Sequence, residues 1–176
     1  MLNVYFFNLI AVVVFLKTMK KLTKIRVLVL FFMIALILSG ITAFPVETEL
    51  RWLLRHPALV PGFAEIWLQN VFVAIAETNV QFPMLAYGFD WLAFAHIVIA
   101  LLFVGVLKDP VKNKWIIDWA MLCCVAIFPL AFIAGPIRQI PIYHILIDCS
   151  FGIIGLIPLF ICRRWINELP QNNITN

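Results

Sequence analysis

His144 and Asp148 stand four residues apart in the stretch YHILIDCSFG, inside an apolar run that continues to Cys162. On a helix that spacing puts both side chains on one face. A carboxylate beside an imidazole can orient it as a proton acceptor for a quinone or for a transported proton. Two further groups belong with this pair: His96 in a second apolar run, and Arg138 in the short turn GPIRQIP just before His144. His96 and His144 can also serve as axial ligands of a b-type haem held between facing helices. With Asp148 they make a set of two imidazoles and one carboxylate for a transition metal. A packing role competes with all three: His144 and Asp148 satisfy each other, or bond Tyr143 and the Arg138 turn, and so fix helix register. The candidate ligand-binding or polar network is therefore His96, His144, Asp148 and Arg138. No catalytic residue is assigned, and the cofactor is open.

The elements that must position these groups are membrane helices. Of the 176 residues, 64% are hydrophobic and 12% charged, with a mean hydropathy of +1.04. A soluble domain is about 45–50% apolar and about 25% charged. The excess comes in blocks long enough to cross a bilayer. The expected fold class is all-α: an integral membrane bundle of four transmembrane helices with a short helical lid on its outer face. The spans are expected at about 27–44, 90–107, 115–135 and 140–162, in a single membrane domain over 19–166. The net charge of +4 does not indicate nucleic acid, because the basic residues sit beside apolar blocks, where they act as topology determinants. The lipid bilayer and other membrane subunits are the expected partners.

Those basic residues predict the orientation. Lys17, Lys20, Lys21, Lys24 and Arg26 precede the first span, Lys108, Lys112 and Lys114 fill the loop between the second and third, and Arg163 and Arg164 follow the fourth. Four crossings put all three clusters on one side, which the positive-inside rule makes the cytoplasm, with both termini there. Trp91, Trp115, Trp119 and Trp165 are expected near span ends, at headgroup level. Residues 1–18 read as an upstream extension or a short extra helix, because Met19 followed by two lysines resembles a translation start. A signal peptide from Met19 would have a poor cleavage site, with Ile41 and Ala43 an imperfect small-residue pair. Residues 167–176 read as a disordered cytoplasmic tail.

The long connector, 45–89, predicts two amphipathic helices in the outer interface. The first runs from Pro45 to about His56, with Glu47 and Arg51 as an i,i+4 pair. The second runs from Phe63 to Thr78, bounded by Pro83. Counting about 1.5 Å per residue from span starts at Asp90 and Ile140 puts His96, His144 and Asp148 in one leaflet. Asp118, near the inner end of the third span, reads as an interfacial group. Gly152 and Gly155 continue the face of His144 and Asp148 and are expected to let another helix approach closely, with the polar pair turned into the bundle. Pro129 and Pro158 permit kinks. Cys123, Cys124, Cys149 and Cys162 all lie in apolar segments with no C-x-x-C spacing and read as small hydrophobes. Nucleotide-binding, nucleophile-elbow and zinc-protease motifs are absent. Three histidines cannot ligate two bis-histidine haems.

The segments DWLAFAHIVIALLFVGVLKDP (90–110) and AGPIRQIPIYHILIDCSFG (134–152) resemble pieces of small multi-pass bacterial inner-membrane proteins. The resemblance covers most of 26–166 and implies that location, but no activity and no functional residue. The expected role is an accessory or structural subunit of a membrane complex. The alternative is a redox or small-ligand-binding protein (haem b, quinone or metal) with its site in the outer half of the membrane.

Overall fold

The computed structural model describes residues 21–169. The chain folds as helices α1 (Lys21–Ala43), α2 (Val46–Leu54), α3 (Gly62–Gln81), α4 (Pro83–Leu102), α5 (Val104–Lys108), α6 (Lys114–Ile137) and α7 (Ile142–Asn167), with one 3₁₀ turn at Pro57–Leu59. Among the described residues four segments, Lys21–Ala43, Pro83–Lys108, Lys114–Ile137 and Ile142–Asn167, are long and apolar enough to cross a membrane. The shortest spans about 35 Å of axis, against a hydrocarbon core of about 30 Å. The extension at 1–18, Lys17, Lys20 and all but the start of the polar tail lie outside the described residues.

The largest departure from expectation is the start of the second span. Asp90 reads as a polar edge, yet α4 begins at Pro83. Proline's fixed φ suits a first helical turn, and nothing between Pro83 and Asp90 interrupts the helix. Trp91 therefore lies two turns inside α4, edge-on to Tyr87 and Phe94 at 5.9 and 6.0 Å, rather than at its end. At the other extreme α7 continues to Asn167, carrying Arg163 and Arg164 on the helix itself.

The chain divides into two compact units. Of the described residues, one comprises 21–32 and 102–169; the other is Met33–Leu101. In the first, the α6–α7 hairpin carries the packing. Ile145, Cys149, Gly152, Leu159, Cys162 and Ile166 form the buried stripe of α7, at the three-to-four spacing of a helix seam. A Cβ at Gly152 would lie 2.8 Å from the Cys124 carbonyl oxygen, and one at Gly155 3.0 Å from Cys124 Sγ. These glycines set how closely the two helices approach. Phe103, fully buried between α4 and α5, meets Phe32 with ring centroids 5.0 Å apart.

The end of this unit opposite the 138–141 turn is basic and cross-linked. Arg26 Nε donates to the Leu107 carbonyl at 3.0 Å, satisfying a carbonyl at the end of α5. Lys21 Nζ lies 2.8 Å from a Glu168 carboxylate oxygen, and Lys24 sits over the Trp165 ring. Asp118 accepts from Lys114 Nζ at 2.8 Å and from Arg163 Nε, which comes from the other helix of the hairpin. Asn113 Nδ2 donates to the carbonyls of Gly105 and Asp109, both at 3.0 Å, closing the loop before α6.

At the other end, the chain turns through Arg138–Pro141. Ile140 N–H reaches the Gly135 carbonyl at 2.9 Å, and Gln139 takes a φ of 58°. That left-handed geometry closes a helix C-terminus and favours glycine. Gln139→Gly is expected to stabilise the hairpin by up to ~1 kcal/mol, read as a raised melting temperature in mild detergent.

In the second unit α1 crosses α4 at Gly40, whose added Cβ would fall 2.7 Å from the Ala93 carbonyl oxygen and 3.2 Å from His96 Cβ. α2 packs on α3. Glu47 accepts from Arg51 at 2.5 Å and from Asn79 Nδ2 at 2.6 Å, and the Arg51 guanidinium lies over Phe72. The Asn79 amide, then the Arg51 guanidinium, hold the Glu47 carboxyl below its ordinary value of 4.5. A lowered folded value means that the contact holds at full strength above pH 4.5 and weakens as pH falls through the folded value. Hydrogen exchange in α2, followed from about pH 6 to about pH 3, is expected to show this loss, and Glu47→Gln to flatten it.

Candidate functional site

The turn after α6 and the first two turns of α7 bring the polar candidates to one place. Arg138 follows directly on α6 as its C-terminal cap residue, held there by its N–H to the Ala134 carbonyl at 3.0 Å. Pro141, with φ −58°, leads into α7, and His144 and Asp148 then follow on successive turns. Ile145, between them, is buried against Gly135: a Cβ there would lie 2.5 Å from Ile145 Cδ1. Small residues on this stretch of α6 leave space beside that contact. The result is an open trough of about 360 Å³, floored by Ile127, Leu130, Ala131, Ala134, Gly135, Ile140 and Ile145. Arg138 and Asp148 are the charged groups in its wall.

His144 Nε2 and Asp148 Oδ1 are 4.0 Å apart, with side chains 41% and 46% exposed. The separation exceeds a hydrogen bond, so their i,i+4 relation is that of near neighbours. Their exposure departs from the expected inward orientation. The buried seam of α7 locally runs through Ile145, Cys149 and Gly152, one residue beyond His144 and Asp148, or roughly 100° around the helix. The pair flanks the packing face rather than sharing it. Gly152 does sit at the close helix contact, as its residue type suggests.

His96 is placed by other contacts. Its Nδ1 bonds the Leu92 carbonyl one turn earlier at 2.9 Å, and its Cβ lies at the Gly40 crossing. Because α4 starts at Pro83, His96 is thirteen residues into its helix, about 20 Å, whereas His144 and Asp148 are about 3 and 9 Å into theirs. Among the described residues no group of three His, Cys, Asp or Glu side chains is placed to hold a metal ion. Cys124, Cys149 and Cys162 are buried and Cys123 exposed, all as free thiols.

Two groups matter more than the sequence suggested. Asp118, which reads as an interfacial acid, is the cross-hairpin partner of Arg163. Its spacing of four from Lys114 was a legible signal; the Arg163 contact, 45 residues away, was not. Gly40 has the residue type of a crossing point, but only the partner carbonyl on α4 reveals it.

No protein-family model, no curated protein and no solved structure matches the chain.

Proposed function

We propose that this chain is a four-span protein of the bacterial inner membrane, with both termini cytoplasmic, that works as an accessory or structural subunit of a larger membrane complex. The observation that carries the role is the low burial of its spans. Only 22–28% of the residues in each span window are buried, and the rest include large apolar side chains such as Phe31, Leu101, Leu130 and Phe151. Such faces must be covered by lipid tails or by neighbouring helices. The orientation is supported by the convergence of basic groups at one end of the first unit: Lys21, Lys24, Arg26, Lys114 and Arg163 all make contacts there, as the positive-inside rule requires of cytoplasmic flanks.

A stoichiometric partner is expected to co-purify in mild detergent. Recovery of the chain alone, monodisperse with lipid only, would overturn the accessory role. Reporters fused after Leu169 are expected to signal from the cytoplasm; a periplasmic signal would sink the topology. The second reading, a small-ligand site in the outer half, is favoured by the charged trough at Arg138 and Asp148 over a haem. A visible spectrum with and without dithionite separates these, since a Soret band lost in both His96→Ala and His144→Ala would restore haem.

A further inference from the structure

The trough beside the α6–α7 turn carries two charges of opposite sign at different depths. Arg138 lies in the turn itself, beyond the end of α6, and forms no ion pair or side-chain hydrogen bond among the described residues. Asp148 lies two turns into α7, about 9 Å along its axis, and its ionic neighbour is His144 at 4.0 Å. The floor beside and below them is apolar, made by Leu130, Ala134, Ile140 and Ile145 among others. A guanidinium at headgroup level, a hydrogen-bond acceptor below it and an oil-like floor running on past both match the order of groups along a single-chain phospholipid. We propose that the trough binds a lysophospholipid, with its phosphate at Arg138, its free glycerol hydroxyl donating to Asp148 and its acyl chain along the floor.

Each part follows from the chemistry of the groups involved. A guanidinium recognises a phosphate by parallel N–H donors. A carboxylate is an acceptor and needs a donor, and leaving it without one in an apolar setting is costly. At glycerol depth an ordinary two-chain phospholipid offers only ester oxygens, which are acceptors. The one-chain lipid offers a hydroxyl there. The volume of about 360 Å³ lies at the lower end of ligand sites, about 300–1,000 Å³, which suits one chain. The proposal rests on the membrane placement above and adds a ligand to it.

The test uses full-length protein in dodecyl maltoside, with retained lipid read by native mass spectrometry. Oleoyl lysophosphatidylglycerol and dioleoyl phosphatidylglycerol are supplied at equal mole fraction. The one-chain lipid is expected to be retained about tenfold better, the scale of one hydrogen bond to a charged group. Asp148→Leu should abolish that preference while leaving phosphate-dependent retention. Arg138→Gln should weaken both lipids. A lysolipid O-methylated only at the sn-2 hydroxyl of its acylated glycerol tests the same contact without altering the protein, and should fall to the two-chain level. Equal retention of the two lipids by the unaltered protein would overturn the proposal, as would a preference that survives O-methylation. Recovery of the chain in the membrane fraction is scored separately, so failure of lipid selectivity is distinct from failure of the membrane reading.

Discussion

Gly152→Val is expected to damage the α6–α7 contact severely, lowering stability by about 3 kcal/mol, the upper range for overpacking. The position allows no Cβ without movement, since one would fall 2.8 Å from the Cys124 carbonyl oxygen and 3.3 Å from the Phe128 ring. A flexible side chain can rotate away, but a backbone carbonyl inside a helix cannot. The two helices must therefore separate, and the contacts along Ile145, Cys149 and Leu159 loosen with them. Gly88 supplies the control. It lies within α4, and a Cβ added there would meet nothing within 4 Å, so Gly88→Ala should be neutral or stabilise by up to ~1 kcal/mol through helix propensity. Melting in mild detergent reads both. Equal behaviour of the two glycines would mean that the α6–α7 contact is not close in the membrane.

The second large effect is expected at Asp118. Removing it leaves Lys114 and Arg163 facing each other with no anion between them. The side chains of Asp118 and Arg163 are 39% and 42% exposed, so the gain is discounted from that of a buried pair. A double-mutant cycle with Asp118→Asn and Arg163→Gln should give a coupling of about 1 kcal/mol. It should shrink as salt rises, because exposed pairs are screened. A coupling near zero at low salt would show that Arg163 is held by something other than Asp118.

The candidate site shows where reading residues in order succeeds and where it stops. His144, Asp148 and Arg138 stand out because ionisable groups are expensive in hydrocarbon, and no partner is needed to see that. Their arrangement was not legible to the same degree. The i,i+4 spacing places His144 and Asp148 on one side of α7, but it does not say which side meets α6. Ile145 and Gly135 decide that, and their contact leaves Asp148 in the wall of a trough. The start of the helix carrying His96 departed from expectation for a local reason. Asp90 is polar enough to suggest a boundary, while Pro83 starts a helix as readily as it ends one.

By itself, then, the order of residues determined the helical class, the four apolar segments and the basic clusters that flank them. Each of these follows from the free energy of transferring side chains into hydrocarbon, which depends on residue type and run length alone. Tertiary structure decided the rest. The approach of α6 to α7 at Gly152 and Gly135, the Asp118–Arg163 pair and the trough joining Arg138 to Asp148 depend on how two helices, sequentially joined by one short turn, rotate against each other. That rotation is set by steric contact between side chains and a backbone carbonyl, which belongs to pairs of residues rather than to any residue read singly.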